Sequence, residues 1–148
     1  MKIYLILSAS LLMACHSLKP AAPITQGLTG YVYKETGNQM PSPNRAPRKP
    51  KGIKCDLYIY QPTTPQQAIG GPTSFTKVNS KLVTMVHTDS LGHYTVNLSP
   101  GKYTVFIRTG EGSFFADESD GDGILNPAEV AADKVTDRNF TLRAGAVY

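Results

Sequence analysis

Residues 88–109 read TDSLGHYTVNLSPGKYTVFIRT, and this stretch decides the fold. Tyr94, Val96 and Leu98 alternate with Thr95 and Asn97; Ser99-Pro100-Gly101 interrupts; then Tyr103, Val105 and Ile107 alternate with Thr104, Phe106 and Arg108. A period of two puts each apolar set on one side of an extended chain. Pro100 presets φ for the first central position of a turn, and Gly101 accepts positive φ at the next, as a type II turn requires. The two segments are therefore expected to form a hairpin facing one core. Thr88 to Gly92 makes a second turn just before Tyr94.

Working outward, Leu28 to Lys34, Ile53 to Tyr60, Lys81 to Thr88 and Asn139 to Arg143 are also short and rich in Tyr, Val, Ile, Thr and Phe, with Phe140 and Leu142 expected to point inward. No stretch carries a helical stripe. Seven or so short strands with regular turns predict an all-β, antiparallel sandwich. The chain has 148 residues, enough for one ordinary domain and too few for two. Hydrophobic residues at 41% and charged residues at 18% exclude wholesale disorder. A net charge of +4 falls well short of the concentrated basicity that a nucleic-acid binder uses, so no nucleic acid is expected as a partner.

Thr88-Asp89-x-x-Gly92-x-Tyr94-x-Val96, followed by Leu98-x-Pro100-Gly101-x-Tyr103-x-Val105, resembles the signature of carboxypeptidase regulatory-like domains. Gly30-Tyr31-Val32 and Gly37-Asn38-Gln39-Met40-Pro41 are similar to the first strand and first loop of a group of uncharacterised bacterial lipoproteins with this domain. The resemblance implies a transthyretin-like (prealbumin) seven-stranded β-sandwich that folds, spaces or binds without catalysing. It implies fold far more than function.

The amino terminus reads as an address. Met1 and Lys2 precede an apolar run, Ile3 to Met13, about half the length that a bilayer span needs. It closes on Leu12-Met13-Ala14-Cys15, which resembles the lipobox of bacterial lipoproteins. Residues 1–14 are then a lipoprotein signal peptide, Cys15 is the lipidated first residue of the mature protein, residues 15–26 are a flexible tether, and residues 27–148 are the domain. Two or three acyl chains, each methylene worth about 0.8 kcal/mol when buried, would hold it to a leaflet. A plain secretory signal with a nearby Cys is the alternative. No acidic run follows Cys15, so the expected location is the cell envelope, lipid-anchored at the outer membrane and facing the periplasm. Its partners are expected to be the membrane, through the lipid anchor, and an envelope protein or glycan.

With Cys15 acylated, Cys55 has no disulfide partner, and its alternation with Ile53, Leu57 and Ile59 predicts burial as a small hydrophobe. Charge is divided along the chain. Pro41 to Gly52 holds four Pro with Arg45, Arg48, Lys49 and Lys51, and is expected to be a stiff exposed loop. Residues 111–148 carry eight acids and three bases.

Residues 118–129, ESDGDGILNPAE, align with the twelve-residue calcium loop of EF-hands. Glu118, Asp120, Asp122, the carbonyl of Ile124, Asn126 and Glu129 would ligate, with Gly123 at the sharp turn. Glu118 departs from the Asp expected at position one, Pro127 restricts the loop, and flanking helices are missing. Ca²⁺ is the one cofactor the sequence suggests; an acidic turn without metal is the competing reading.

His87, Asp89, Ser90 and His93 nominally supply a nucleophile and a base, but they straddle one tight turn rather than converging from separate segments, and no catalytic residue is assigned. Hydroxyisourate hydrolases share the transthyretin-like fold and end in Tyr-Arg-Gly-Ser; this chain ends Ala144-Gly145-Ala146-Val147-Tyr148. The expected function is a non-catalytic, lipid-anchored envelope binding or scaffolding module. The alternative is a Ca²⁺-assisted carbohydrate or peptidoglycan binder whose exposed Tyr58, Tyr60 and Phe106 stack on sugars; a transthyretin-like hydrolase comes third.

Overall fold

Extended chain dominates the computed structural model, which describes residues 23–38, 49–110, 112–143 and 146–147. Cys15, the signal segment and most of the Pro-rich basic loop lie outside the described residues. Within them, the first strands are β1 (Gly27–Lys34), β2 (Gly37–Asn38), β3 (Lys51–Gly52), β4 (Asp56–Tyr60), β5 (Ala68–Gly70), β6 (Ser74–Val78) and β7 (Leu82–His87). They are followed by β8 (His93–Asn97), β9 (Gly101–Arg108), β10 (Phe114–Phe115), β11 (Pro127–Val130), β12 (Val135–Asp137), β13 (Phe140–Leu142) and β14 (Ala146–Val147). A single 3₁₀ turn, Pro65–Gln67, is the one helical element among the described residues.

The strands form two main sheets that pack as a β-sandwich. In the five-stranded sheet β1 is central. Antiparallel β8 and then β3 line one of its edges, and β12 and then β13 line the other in parallel. Between β12 and β13 the ladder is carried by a side chain: Asn139 Oδ1 accepts the Tyr31 N–H at 2.7 Å. The seven-stranded sheet runs β5-β6-β10-β9-β4-β7, with β11 beside β10 on the same edge of β9. A small parallel pair, β2 with β14, stands apart.

The period-two reading places Leu57, Ile59, Tyr94, Tyr103, Val105, Ile107, Phe140 and Leu142 in the main core, and the structure adds Leu28 and Val32. Leu28, Val32, Tyr94, Phe140 and Leu142 from one sheet meet Leu57, Ile59, Tyr103, Val105 and Ile107 from the other, and all are buried. Cys55 is 5% exposed in the same cluster.

Two expectations need correction. The segments around Ser99-Pro100-Gly101 do not pair: β8 bonds to β1, while β9 bonds to β4, β10 and β11. The turn is an arch that carries the chain from one sheet to the other, with Gly101 at φ +151° and the Tyr103 hydroxyl donating to the Ser99 carbonyl at 2.8 Å. Both segments face one core, as expected, but from opposite layers.

The second correction concerns the aromatic residues. Phe106 alternates with Val105 and Ile107, so it points to the other face of the seven-stranded sheet. There it is 0% exposed, in a second cluster with Tyr60, Phe75, Ala116 and Leu125. The Tyr60–Phe106 and Phe75–Phe106 rings meet edge to face at 5.6 and 5.7 Å, a favoured aromatic geometry. Tyr58 is half-buried against Phe114. None of these three side chains is an open platform: strands β5 and β6 and the chain around residues 116–125 cover that face.

Candidate functional site

Thr88, Asp89, Gly92 and Tyr94 hold the arch between β7 and β8. Thr88 is 3% exposed; its hydroxyl accepts the Cys55 N–H at 2.8 Å and donates to the Ile53 carbonyl at 2.8 Å. Asp89 Oδ1 accepts the N–H groups of His93 at 2.9 Å and Leu91 at 2.8 Å, and these donors hold its carboxyl below the ordinary carboxylate range. Gly92 has φ +84°, and a Cβ there would stand 2.4 Å from the Val32 carbonyl oxygen. The Tyr94 hydroxyl donates to the Arg138 carbonyl, and burial raises its pKa. Each of these residues fixes the backbone of the sandwich.

The histidines are separated by the same arch. His87, on β7, sets Nδ1 2.6 Å from Oδ1 of Asp56, its cross-strand neighbour on β4. His93, on β8, lies in the other sheet, with Nε2 3.3 Å from the Thr29 hydroxyl. The Asp56 carboxylate was not anticipated beside His87, because the 56-to-87 register is long-range. Cys55 is buried as expected, and burial pushes its thiol up to about 11, far from the thiolate a nucleophile needs.

In the 118–129 loop, the side chains of Glu118, Asp120, Asp122 and Asn126 are tied to cations and backbone of the chain itself. Asp120 Oδ1 accepts the N–H groups of Ile124 at 2.8 Å and Asp122 at 3.0 Å. The Lys102 ammonium sits 3.1 Å from Asp120 Oδ2 and 3.4 Å from Asp122 Oδ2. The Ile124 N–H, followed by Lys102, holds the Asp120 carboxyl below its ordinary range, while the two carboxylates raise the Lys102 pKa.

Glu118 pairs with Arg138 at 2.7 Å, and neighbouring Asp117 with Arg143 at 2.8 Å. Asn126 is 2% exposed at φ +37°, and its Oδ1 accepts the Glu118 N–H; the Ile124 carbonyl accepts the Asp120 N–H. Glu129 is exposed on β11, in register with Lys102 on β9. The loop thus brings Asp120 and Asp122 to one positive point and sends Glu118 elsewhere. Among the described residues, no three His, Cys, Asp or Glu side chains gather as a metal-holding group.

A feature that sequence reading missed lies on the outer face of the five-stranded sheet. Tyr31 and Tyr33, two apart on β1, stack with centroids 6.0 Å apart and planes 16° apart. His93 leans on Tyr31 at 5.1 Å, and the Thr29 hydroxyl lies 3.1 Å from that of Thr95. Tyr31 is 39% exposed, so the row is an open aromatic strip edged by hydroxyl and imidazole groups. The signal was present in Tyr31-Val32-Tyr33, which alternates around one core residue. Separately, a cleft of about 600 Å³ opens beside the start of β7, lined among others by Lys81, Leu82, Val83, Pro100, Lys102 and Tyr103.

The chain matches no family model, no curated protein and no solved structure.

Proposed function

We propose that the protein is a non-catalytic binding or scaffolding module of the cell envelope, carried on a lipid at Cys15 and built on a carboxypeptidase regulatory-like sandwich. The observation that supports it most is the employment of the polar residues. Thr88 and Asp89 hold the β7–β8 arch, His87 and His93 lie in different sheets, and every buried side-chain polar atom among the described residues has a hydrogen-bond partner. Side chains fully engaged in holding backbone make a rigid frame, which suits presenting a surface. The lipobox-like Leu12 to Cys15 supplies the address. Metabolic labelling with a fatty-acid analogue tests the anchor: the parent incorporates label and Cys15→Ala does not. Equal labelling of both would overturn it.

A second reading, a glycan or peptidoglycan binder, is favoured by the Tyr31–Tyr33 stack. Nearly parallel rings, Tyr31 exposed and Tyr33 half-buried, offer apolar surface to the C–H groups of a sugar, and the adjacent His93, Thr29 and Thr95 can hydrogen-bond its hydroxyls. Pulldown with purified peptidoglycan tests it. The parent is retained and Tyr31→Ala is not, whereas equal retention of both would remove this face from consideration. Calcium belongs to this reading as the cation of the 118–129 loop, where it would compete with the Lys102 ammonium for Asp120 and Asp122.

A further inference from the structure

We infer that one end of the sandwich docks on an anionic lipid surface through the tip of the β7–β8 arch. Two crossovers between the sheets meet at that end: the arch itself, and the stretch 51–56 that carries the chain from β3 to β4. They are in close contact. A Cβ on Gly52 would overlap the Leu91 carbonyl, and the Val32 carbonyl accepts the Ile53 N–H at 3.0 Å while the Val32 N–H donates to the Gly92 carbonyl at 2.8 Å. Leu91, at the tip, is 70% exposed, the most exposed large hydrophobic side chain of the described residues.

Basic residues cluster along the same stretch. Lys34, Lys49, Lys51 and Lys54 are all exposed, and none of them forms an ion pair among the described residues. Lys34 and Lys51 are direct cross-strand neighbours on β1 and β3, an arrangement in which like charges repel and weaken the pairing. The acids nearby are already engaged. Glu35 pairs with Arg143 and Asp56 with His87, while Asp89 Oδ1 accepts the N–H groups of Leu91 and His93.

The combination selects the occupant. A cluster of cations alone would suit any acidic partner, whereas a bare leucine beside exposed ammonium groups suits a bilayer: the leucine enters between headgroups and the lysines meet their phosphates, with the lysine methylenes lying along the apolar boundary. The cross-strand repulsion of Lys34 and Lys51 is relieved by the same phosphates. This contact does not rest on acylation at Cys15 and is compatible with it. Gly27 begins β1 at the opposite end, about 25 Å away along an eight-residue strand, and the twelve residues from Cys15 to Gly27 can reach about 40 Å.

The test uses the full chain with Cys15→Ala, so that no acyl chain contributes, and a polarity-sensitive dye on Leu91→Cys; Cys55 is buried and stays unlabelled. Vesicles of phosphatidylcholine and phosphatidylglycerol, mixed one to one, should shift the dye emission to the blue, and vesicles of phosphatidylcholine alone should not. Residues 1–14 are the same in both arms, so association through them does not mimic the result. The dye on Val135→Cys, at the opposite end of the sandwich, should stay in water. At about fivefold per lysine, Lys51→Glu with Lys54→Glu should raise the anionic lipid needed for half the shift by at least about 25-fold. Raising NaCl from about 0.1 M to about 1 M, which shortens the Debye length from about 10 Å to about 3 Å, should reverse the shift with no further substitution. No shift at position 91, an equal shift with phosphatidylcholine alone, an equal shift at position 135, a half-point that the double substitution leaves in place, or a shift that salt leaves intact would each overturn the inference.

Discussion

Replacing Thr88 with Val tests whether the β7–β8 arch is held by one hydroxyl. Val keeps the shape and substitutes a methyl for the oxygen that accepts the Cys55 N–H at 2.8 Å and donates to the Ile53 carbonyl at 2.8 Å. At 3% exposure no water replaces it readily, and a buried amide left without an acceptor costs about 1–3 kcal/mol, with the lost donor to Ile53 added. The expected loss is about 2–3 kcal/mol. Thr88→Ser keeps the hydroxyl and removes one buried methyl, for about 1 kcal/mol. At about 4 °C per kcal/mol for a domain of this size, the Tm should fall by about 8–12 °C for Val and about 4 °C for Ser. Urea unfolding with an unchanged m-value would assign the effect to the native state. If Thr88→Val proved as stable as Thr88→Ser, the hydroxyl would not be what holds the arch.

Other positions give sharp outcomes. Gly92→Ala combines φ +84° with a Cβ 2.4 Å from the Val32 carbonyl and should cost about 3 kcal/mol or more, whereas Gly110→Ala, at φ +60° with nothing within 4 Å, should cost about 1 kcal/mol; melting curves decide the order. The Asp89 carboxyl is held below its unfolded value, so its contribution is complete above the ordinary range near pH 3.9 and is lost as pH falls through the depressed folded value. Asp89→Asn, which keeps the accepting oxygen, should therefore flatten the loss of urea midpoint between about pH 4 and pH 2. On the calcium reading of residues 118–129, millimolar Ca²⁺ should raise the Tm, more so in Lys102→Met, where the competing ammonium is gone, and not at all in Asp122→Ala; no shift in either parent or Lys102→Met would end that reading.

Much of this architecture was legible because burial imposes a period of two. Leu57, Ile59, Val105 and Ile107 were each readable as core from their neighbours alone. What local pattern does not encode is which strand lies alongside. Ser99-Pro100-Gly101 suits a hairpin turn and an arch between layers equally well, since both need a preset φ followed by a glycine. Strand β9 carried a clue in the unbroken run Val105-Phe106-Ile107, which marks a strand buried on both faces and would have withdrawn Phe106 from the exposed aromatics. The Asp56–His87 pair and the Lys102–Asp120 contact depend on long-range register, so only the folded chain shows them. The 118–129 loop read as a cation site because its oxygen-bearing residues follow the spacing of a calcium loop; that Asp120 and Asp122 meet the Lys102 ammonium from β9 was not visible in that spacing.

The central position of β1 has a consequence for biogenesis. Its parallel neighbours β12 and β13 come from the far end of the chain, and the Tyr31–Asn139 bond spans 108 residues. A polypeptide emerging from the ribosome N-terminus first cannot complete this sheet until residue 142 has appeared, and pairings of such separation form slowly. The five-stranded sheet therefore closes only once residues more than a hundred positions apart have met, and its last contacts set the pace of its assembly.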